Sequence, residues 1–354
     1  SEALQFAAEH VLTMKITSKF KHFLRGALPT GEGKKIGTIE FNMQPIDGPW
    51  GGSSPFVRQL ADYLEWRGYQ VVYTLNDQVD LAVLIDPRTD LSNRGFGVDD
   101  LATMRKKNPY LRVIHRVNEC DQRKDTNFMD EMLKAANEVA DHTVFISEWL
   151  RDYHAERWFD LGRSNSVIYN GADPRVFHPV GSKRWDRVSP LRVVTHHWSS
   201  NPLKGFAEYE ALDNAIAAGQ VADVELYIVG RWPDSIQWKS AVSVPPLHGR
   251  ELADQLKRCH LYITASRWEP CGMHHVEGAQ CGLPLLYHED GGGIVEAGQM
   301  YGIGFREDLF VALERAKSSY DELRTKLLNQ TPSGDRMCMA FADTIQQLIA
   351  EARE

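Results

Sequence analysis

The chain has 354 residues, of which 43% are hydrophobic and 25% charged, as in ordinary folded proteins. At roughly 150 residues per domain, this length favours two domains. The 40 Lys and Arg residues against 48 Asp and Glu residues give a net charge of −8, which argues against nucleic acid as the main ligand. The five cysteines form no Cys-x-x-Cys pair and are odd in number, so we expect a reducing, cytoplasmic setting rather than a disulfide framework or zinc ribbon.

The first 28 residues carry an amphipathic pattern in which apolar residues alternate with Lys and Arg. The pattern favours a helix that packs on the rest of the protein or contacts a partner, and the alternative is a peripheral membrane contact. No apolar stretch reaches the roughly 18 residues of a membrane span, and the segment does not resemble a secretion signal. The expected location is therefore cytoplasmic, with membrane association as the alternative.

Short β-branched runs alternate with longer helical patterns, which is typical of parallel sheets built from β-α-β units. The first series predicts strands at residues 36–41, 70–73, 81–85, 112–117, 143–146 and 166–168, with helices that include 55–67 and 127–139. The second series predicts strands at 192–195, 225–229, 261–264 and 285–287, with helices near 206–218, 251–258 and 274–281. The sequence therefore predicts two consecutive α/β domains, each with a doubly wound sheet.

Residues 178–190 contain two prolines, a glycine and mixed charges without periodicity, which predicts a linker between the domains. We place an N-terminal domain at residues 1–180 and a C-terminal domain at 190–335. The final helix, at residues 336–354, has apolar residues at helical spacing and is expected to pack back on the N-terminal domain. Doubly wound sheets bind ligands outside the carboxyl ends of their strands, so the expected site is a cleft between the two domains.

The segment from residue 266 to 293 carries the strongest functional signal. A predicted strand ends just before it, and a loop with a glycine then leads into a short helix. The backbone amides of Cys271, Gly272 and Met273 are expected at the start of that helix, where free N–H groups and the helix dipole favour an anion or a polyhydroxylated ligand. The segment therefore predicts a site for a phosphate or a sugar.

Two carboxylates, Glu269 and Glu277, flank this loop with seven residues between them. Both can face one cleft, and a glutamate there can accept hydrogen bonds from vicinal hydroxyls, as acidic residues do with the ribose of a nucleotide. The alternative is that either glutamate caps a helix or is a solvated surface charge.

This segment resembles the Glu-x7-Glu motif of retaining glycosyltransferases with the GT-B fold, particularly glycosyltransferase family 4. The EPCG sequence that begins at Glu269 is also similar to the corresponding loop of glycogen and starch synthases. In these families the first glutamate and the loop amides hold the donor sugar, while the second glutamate binds the nucleotide ribose. The resemblance implies that Glu269, Cys271, Gly272 and Met273 contact the sugar and that Glu277 contacts the ribose.

The motifs that would hold the diphosphate follow in the order that the family has. Gly51 and Gly52, after the first predicted strand, look like its glycine loop, where the absence of a Cβ lets the backbone approach phosphate or acceptor. Lys204 resembles the lysine that neutralises the diphosphate. The arginine usual in the family five or six residues earlier is replaced by Ser199 and Trp198. The resemblance therefore implies that Lys204 shares the diphosphate with backbone amides and two polar side chains, Ser199 and Asn201.

The resemblance extends over about residues 36–304 and includes an Asn-Gly-x-Asp sequence within residues 169–179. The sequence LHGRELADQL is similar to the segment around the family's base pocket, which implies that Gly249 and Arg250 contact the nucleotide base.

His115 lies in the predicted strand at residues 112–117. A histidine at a similar strand end contacts the reaction centre in relatives, so the resemblance implies that His115 is catalytic together with Glu269 and Lys204. The alternative is a core histidine whose hydrogen bonds are satisfied inside the protein. Four polar residues follow the strand and face either an acceptor or solvent: Asn118, Glu119, Asp121 and Arg123.

Metal ligation is not expected from this sequence. No Asp-x-Asp sequence occurs. The adjacent His274 and His275 point about 100° apart on a helix, and the adjacent His196 and His197 point to opposite faces of a strand. We therefore expect neither a catalytic metal nor a bound cofactor, because the nucleoside-diphosphate sugar is a co-substrate.

Together these motifs predict a retaining, metal-independent glycosyltransferase that moves a hexose from a nucleoside-diphosphate sugar to a hydroxyl acceptor. The acceptor is a glycan, a lipid-linked sugar or a small molecule, and the base is uridine, adenosine, guanosine or thymidine. Two alternatives stay open on the same fold. One is a sugar-nucleotide epimerase or hydrolase, and the other is a non-catalytic sugar-nucleotide-binding protein, suggested by the missing arginine.

Overall fold

This computed structural model describes residues 35–48, 51–88 and 90–354. The described protein contains two six-stranded parallel sheets with helices packed on them. The doubly wound α/β architecture predicted from the sequence is confirmed. The amphipathic pattern at residues 1–28 lies outside the described residues. Within the described residues, no helix is long and apolar enough to cross a membrane.

The first sheet has the strand order β2-β1-β3-β4-β5-β6, and all its neighbouring strands are parallel. Its strands are β1 (Thr38–Phe41), β2 (Gln70–Val72), β3 (Leu81–Leu84), β4 (Arg112–Val117), β5 (His142–Phe145) and β6 (Asn165–Val167). The helices between them are α1 (Ser53–Trp66), α2 (Val98–Lys107), α3 (Asp121–Lys124), α4 (Met129–Asn137) and α5 (Glu148–Ala155). Every residue of β3, with the sequence LAVL, is buried, as expected of a strand covered on both faces.

The second sheet has the order β12-β11-β10-β7-β8-β9 and is also parallel. Its strands are β7 (Leu191–His197), β8 (Val224–Gly230), β9 (Val242–Val244), β10 (Leu261–Thr264), β11 (Leu285–His288) and β12 (Gly302–Phe305). Its helices are α6 (Phe206–Ala217), α7 (Gly249–Lys257), α8 (Met273–Gln280), α9 (Ile294–Tyr301), α10 (Leu309–Ser318) and α11 (Tyr320–Gln330). The sequence patterns missed β9 and β12, because both lie at sheet edges and lack a buried apolar run.

The last helix, α12 (Gly334–Arg353), packs on the first sheet, not on the second. The ring of Phe341 meets that of Phe56 on α1 at a centroid distance of 5.1 Å. The chain returns to the first sheet beside residue 171, where a Cβ would lie 2.3 Å from the carbonyl carbon of Ser333. Only glycine allows the chain segments at Gly171 and Ser333 to approach each other this closely. We call the first sheet with α1–α5 and α12 the N-terminal half, and the second sheet with α6–α11 the C-terminal half.

The order of the strands reverses at β7, which lies between β10 and β8 in the second sheet. The chain leaves β7 towards one side of the sheet and leaves β10 towards the other. The loops that follow these two strands therefore diverge and leave a crevice at their carboxyl ends, which is where such sheets bind ligands. Lys204 lies in the first of these loops and Glu269 in the second.

Glu40 on β1 is a carboxylic acid buried without a partner. Its side chain is fully buried, and neither carboxylate oxygen has a hydrogen-bond partner among the described residues. Burial raises the pKa of Glu40 from 4.5 to about 8. The folded protein therefore holds Glu40 protonated at neutral pH.

We expect the substitution Glu40→Gln to stabilise the protein. The unfolded chain releases the Glu40 proton near pH 4.5, whereas the folded protein keeps it up to about pH 8. Between these values the wild-type free energy of unfolding falls with rising pH, by at most about 1.4 kcal/mol per unit, and the variant lacks this slope. Urea unfolding at pH 5, 7 and 8.5 measures the effect, with a gain of up to about 3 kcal/mol expected at pH 7. The exposed Glu138→Gln serves as control, and parallel pH profiles for wild type and Glu40→Gln would contradict the assignment.

Candidate functional site

A cleft of about 1020 Å³ lies at the carboxyl ends of the strands of both sheets. This volume is at the upper end of the range for small-molecule sites, as a ligand with several linked groups requires. The cleft is lined by most of the residues that the sequence predicted as site residues, namely Gly51, Gly52, Ser199, Lys204, Gly249, Glu269, Cys271, Gly272, Met273 and Glu277.

Glu269 lies in this cleft between two cations. Its Oε2 accepts a hydrogen bond from Lys204 Nζ at 2.6 Å and pairs with Arg123 Nε at 3.0 Å. All three side chains are buried. Burial alone would raise the pKa of Glu269, but Arg123 and Lys204 outweigh it and hold this pKa well below its usual range. The carboxylate is therefore ionised at neutral pH.

The backbone of Glu269 is fixed by the loop that follows β11. Its N–H donates to the carbonyl of Gly291 at 3.1 Å, and its carbonyl accepts from the N–H of Gly293 at 2.9 Å. A Cβ at Gly293 would lie 1.8 Å from the carbonyl oxygen of Pro270, so this close approach requires glycine. The two backbone bonds therefore set the direction in which the Glu269 side chain enters the cleft.

Lys204 ends a 3-10 turn, Pro202–Lys204, directly before α6. Gly205 follows with a φ of +78°, and a Cβ there would lie 2.3 Å from the carbonyl oxygen of Ala265. The chain can therefore turn sharply only at glycine, which holds Lys204 against the loop that carries Glu269. Burial lowers the pKa of Lys204, although Glu269 opposes this shift.

Asn201 was predicted to contact the diphosphate, but it lies outside the cleft lining. Its side-chain oxygen accepts from the N–H of Leu203 at 2.8 Å and so caps the 3-10 turn. In this structure the Asn201 side chain is therefore engaged in the turn and not directed into the cleft. Ser199 does line the cleft, and its Oγ accepts from the N–H of Asn201 at 3.1 Å.

Glu277 has a different partner from Glu269. Its Oε2 lies 2.8 Å from Nε2 of His196, and Nδ1 of His196 lies 3.0 Å from the hydroxyl of Tyr262. Burial raises the pKa of Tyr262 well above its usual range, so its hydroxyl stays protonated. This buried series of hydrogen bonds orients the Glu277 carboxylate on α8. The sequence indicates His196 only as a candidate metal ligand, so this positioning role was not predicted.

Three further histidines surround the two glutamates without adding positive charge. Burial lowers the pKa of His197 and of His274 well below the usual value, and lowers that of His275 to about 4. The ring of His274 is anchored by Thr264, whose Oγ1 lies 3.0 Å from its Nε2. Among the described residues, no group of three or more His, Cys, Asp or Glu side chains is placed to hold a metal ion.

His115 does not reach the cleft, contrary to the prediction. The strand β4 continues beyond it to Val117, and the His115 side chain is fully buried. Its Nδ1 lies 3.0 Å from Nδ2 of Asn137 on α4, inside the N-terminal half. Burial lowers the pKa of His115 to about 3, so the ring is neutral. Since side chains alternate along a strand, the next residue, Arg116, faces the cleft instead.

Arg116 connects the N-terminal half to the loop before α8. Its guanidinium stacks on the ring of Phe56 at 3.9 Å, and its Nη2 donates to Oδ1 of Asn170 at 2.8 Å. Asn170 in turn donates from Nδ2 to the carbonyl of Cys271 at 2.8 Å. Burial lowers the pKa of Arg116 to about 9, so it remains cationic at neutral pH. The only signal for this role in the sequence is its position beside His115.

Most of the polar residues that follow β4 line the cleft, and one of them caps a helix. Three of the four line the cleft: Asn118, Glu119 and Arg123. Asp121 instead accepts hydrogen bonds from the backbone N–H groups of Met129 at 2.8 Å and Asp130 at 3.1 Å, and so caps the start of α4.

The two residues predicted to contact the base lie in different surroundings. Gly249, the first residue of α7, lines the cleft, whereas Arg250 is exposed and lies outside the lining. Successive helix residues are rotated by about 100°, so the side chain after Gly249 turns away. His248, which precedes the helix, lines the cleft in its place.

We expect His115→Ala to destabilise the fold. The substitution leaves a cavity and removes the hydrogen bond from Asn137, at a cost of about 2–4 kcal/mol. Thermal melting and urea unfolding measure the loss of stability. An unchanged melting temperature in His115→Ala would contradict the structural placement.

Comparison with known proteins adds to this geometry. No family model matches the sequence, and no curated protein is significantly similar to it in sequence. Sucrose-phosphate synthase from Thermosynechococcus elongatus superposes with a TM-score of 0.66 at 15% identity, over 89% of this chain and 100% of the other. HepE from Anabaena, solved with UDP-glucose, gives 0.62 at 16% identity, over 88% and 99%. The catalytic domain of starch synthase IV from Arabidopsis thaliana, bound to ADP and acarbose, gives 0.61 at 11% identity, over 90% and 100%.

These three structural neighbours are glycosyltransferases of the GT-B fold. Each superposition covers nearly all of the neighbouring structure and most of this chain, so the similarity includes both sheets. The two-domain GT-B fold predicted from the sequence is therefore confirmed.

Proposed function

We propose that this protein is a retaining, metal-independent glycosyltransferase that moves a hexose from a nucleoside-diphosphate sugar to a hydroxyl acceptor. The observation that carries the proposal is the position of two buried glutamates in one cleft. Glu269 pairs with Lys204 and Arg123, and Glu277 on α8 lies 2.8 Å from Nε2 of His196 on β7. The structural neighbours solved with UDP-glucose and with ADP support a nucleoside diphosphate as the ligand.

The groups of the donor can be assigned to the cleft by their chemistry. Gly249 and His248 take the base, and Glu277 accepts hydrogen bonds from the vicinal hydroxyls of the ribose. Lys204 and the start of α8 bind the diphosphate, because a buried ammonium and a helix N-terminus both favour anions. Glu269 and the loop at residues 271–273 hold the sugar, with the glycines at 51 and 52 on the opposite wall.

The proposed reaction proceeds at the anomeric carbon of the donor sugar. The bond from this carbon to the phosphate oxygen breaks, and its electron pair stays on the diphosphate. The acceptor hydroxyl attacks from the same face, forms the new glycosidic bond and gives its proton to the departing phosphate oxygen. Lys204 stabilises the charge that develops on this oxygen, which is electrostatic catalysis by a group already in position.

The electrostatics of Glu269 support a binding role over a nucleophilic one. A carboxylate whose pKa is held well below its usual range is a weak base and a weak nucleophile. It is nevertheless a good hydrogen-bond acceptor for sugar hydroxyls. Glu269 therefore positions the donor sugar, and the cations beside it supply the positive charge for the leaving group.

The first test is a panel of nucleoside diphosphates and their sugars, measured by thermal shift and by donor turnover in EDTA without an acceptor. We expect one base to stabilise the protein, with slow donor hydrolysis that EDTA does not change. Rapid consumption without acceptor would indicate an epimerase or a hydrolase. Stabilisation without consumption, even with a panel of hydroxyl acceptors, would indicate a non-catalytic binding protein. No stabilisation by any nucleotide would contradict the proposal.

The two glutamates should separate turnover from nucleotide binding. Glu269→Gln is expected to lose about 100-fold or more in turnover while it still binds the nucleotide, because it removes the contact to the transferred sugar. Glu277→Gln is expected to weaken nucleotide binding by about 10- to 100-fold, the loss of one charge-assisted hydrogen bond. Calorimetric titration and donor consumption measure both variants, and the exposed Glu322→Gln is the control. Small and equal effects in the two variants would sink the assignment.

A further inference from the structure

We propose that Arg123 supplies the second cation for the donor diphosphate, from the half of the protein opposite to Lys204. This inference rests on the proposed function and names the residue that completes its phosphate site. Arg123 lies on α3, directly after β4 of the first sheet, whereas Lys204 follows β7 of the second sheet. A diphosphate bound by both would therefore bridge the two halves of the cleft.

The two cations lie close enough together for one diphosphate to contact both. Lys204 Nζ and Arg123 Nε lie 2.6 Å and 3.0 Å from the same oxygen of Glu269, so they are at most 5.6 Å apart. Adjacent phosphate groups share a bridging oxygen, and two cations this close can each contact one of them. Both cations line the same cleft.

The charge balance around Glu269 leaves one positive charge for a ligand. Lys204 alone would be cancelled by Glu269, and Arg123 is the surplus. The adjacent Lys124 adds nothing to this balance because it pairs with Glu119 at 3.3 Å. His197 and His274, which also line the cleft, add no charge because burial lowers their pKa well below the usual value. The Glu269 cluster therefore carries a net positive charge, which an anionic ligand such as a diphosphate would balance.

The chemistry of the arginine side chain fits phosphate as well as carboxylate. A guanidinium has five N–H donors in a planar fork, and phosphate oxygens match this fork. The nitrogen of Arg123 that pairs with Glu269 is Nε. Among the described residues, neither Nη group of Arg123 is seen to donate a hydrogen bond. These groups can therefore take phosphate oxygens while Nε keeps its contact. Glu269 and Glu119 also raise the pKa of Arg123 in spite of its burial, so it stays charged.

The rival explanation is that Arg123 only positions Glu269, and the two roles predict different losses. A phosphate contact affects the affinity for a nucleoside diphosphate, but not for the nucleoside. A positioning role affects the extra affinity that the sugar adds to the nucleoside diphosphate, because Glu269 is assigned to the sugar. Measuring nucleoside, nucleoside diphosphate and sugar nucleotide separately tells the two roles apart.

The experiment is calorimetric titration of wild type, Arg123→Gln and Arg123→Lys. The probes are uridine, UDP and UDP-glucose, with the adenosine, guanosine and thymidine counterparts. We expect Arg123→Gln to bind the diphosphate about 10- to 100-fold more weakly with the nucleoside unchanged, and Arg123→Lys to recover part of the loss. Lys134→Gln, an exposed cation on α4 outside the cleft, is the matched control for general charge effects.

The outcomes separate the inference from the function on which it rests. Unchanged diphosphate affinity in Arg123→Gln, with loss confined to the sugar, would overturn the inference and leave the proposed function standing. A wild type that binds none of the nucleotides would contradict the proposed function, and the inference with it. Glu269 keeps its pair with Lys204 in both variants, so thermal melting should show a folded protein. If Arg123→Gln does not fold, Arg123→Met, which keeps the apolar stem without the charge, carries the test by the same criterion.

Discussion

The pairing of Glu269 with Lys204 and Arg123 is the interaction on which the rest of the cleft depends. Buried charges such as these are tolerated because each cation pairs with the carboxylate, since the loss of hydration costs several kcal/mol per ion. The partners come from the ends of β10, β7 and β4. One carboxylate oxygen therefore holds together strand-end loops from both sheets, and the geometry of the cleft follows from it.

The helix α8 lies next to this cluster and also contacts the N-terminal half. Glu277 projects into the cleft, whereas Gln280, one turn later, bonds to the backbone of Ala172 through both its amide oxygen at 2.6 Å and its amide nitrogen at 2.9 Å. A second tie forms where Glu296 of α9 accepts from the backbone N–H of Trp149 at 2.7 Å. These directional polar contacts hold the two halves in position relative to each other. They therefore also set the distance between Arg123 and Lys204.

The parts of the fold and site that could be predicted are those encoded locally. Buried runs such as LAVL in β3 mark central strands, and the doubly wound topology places Lys204 and Glu269 in neighbouring loops. The contact between Arg123 and Glu269 spans 146 positions and joins two halves, so nothing local to either residue indicates it. The error at His115 has a related cause, since alternation separates His115 from Arg116 but does not tell which of them faces the cleft.

The shared oxygen of Glu269 also couples the two parts of the proposed donor. A diphosphate that attracts Lys204 weakens the hydrogen bond of Lys204 to Glu269, and a buried carboxylate that loses a donor costs free energy until it finds another. The hydroxyls of a sugar attached to the diphosphate can supply that donor. A nucleoside diphosphate without its sugar leaves Glu269 less well satisfied, so the proposed site would favour the intact sugar nucleotide over its product. The return of Lys204 to Glu269 would then assist release of the product.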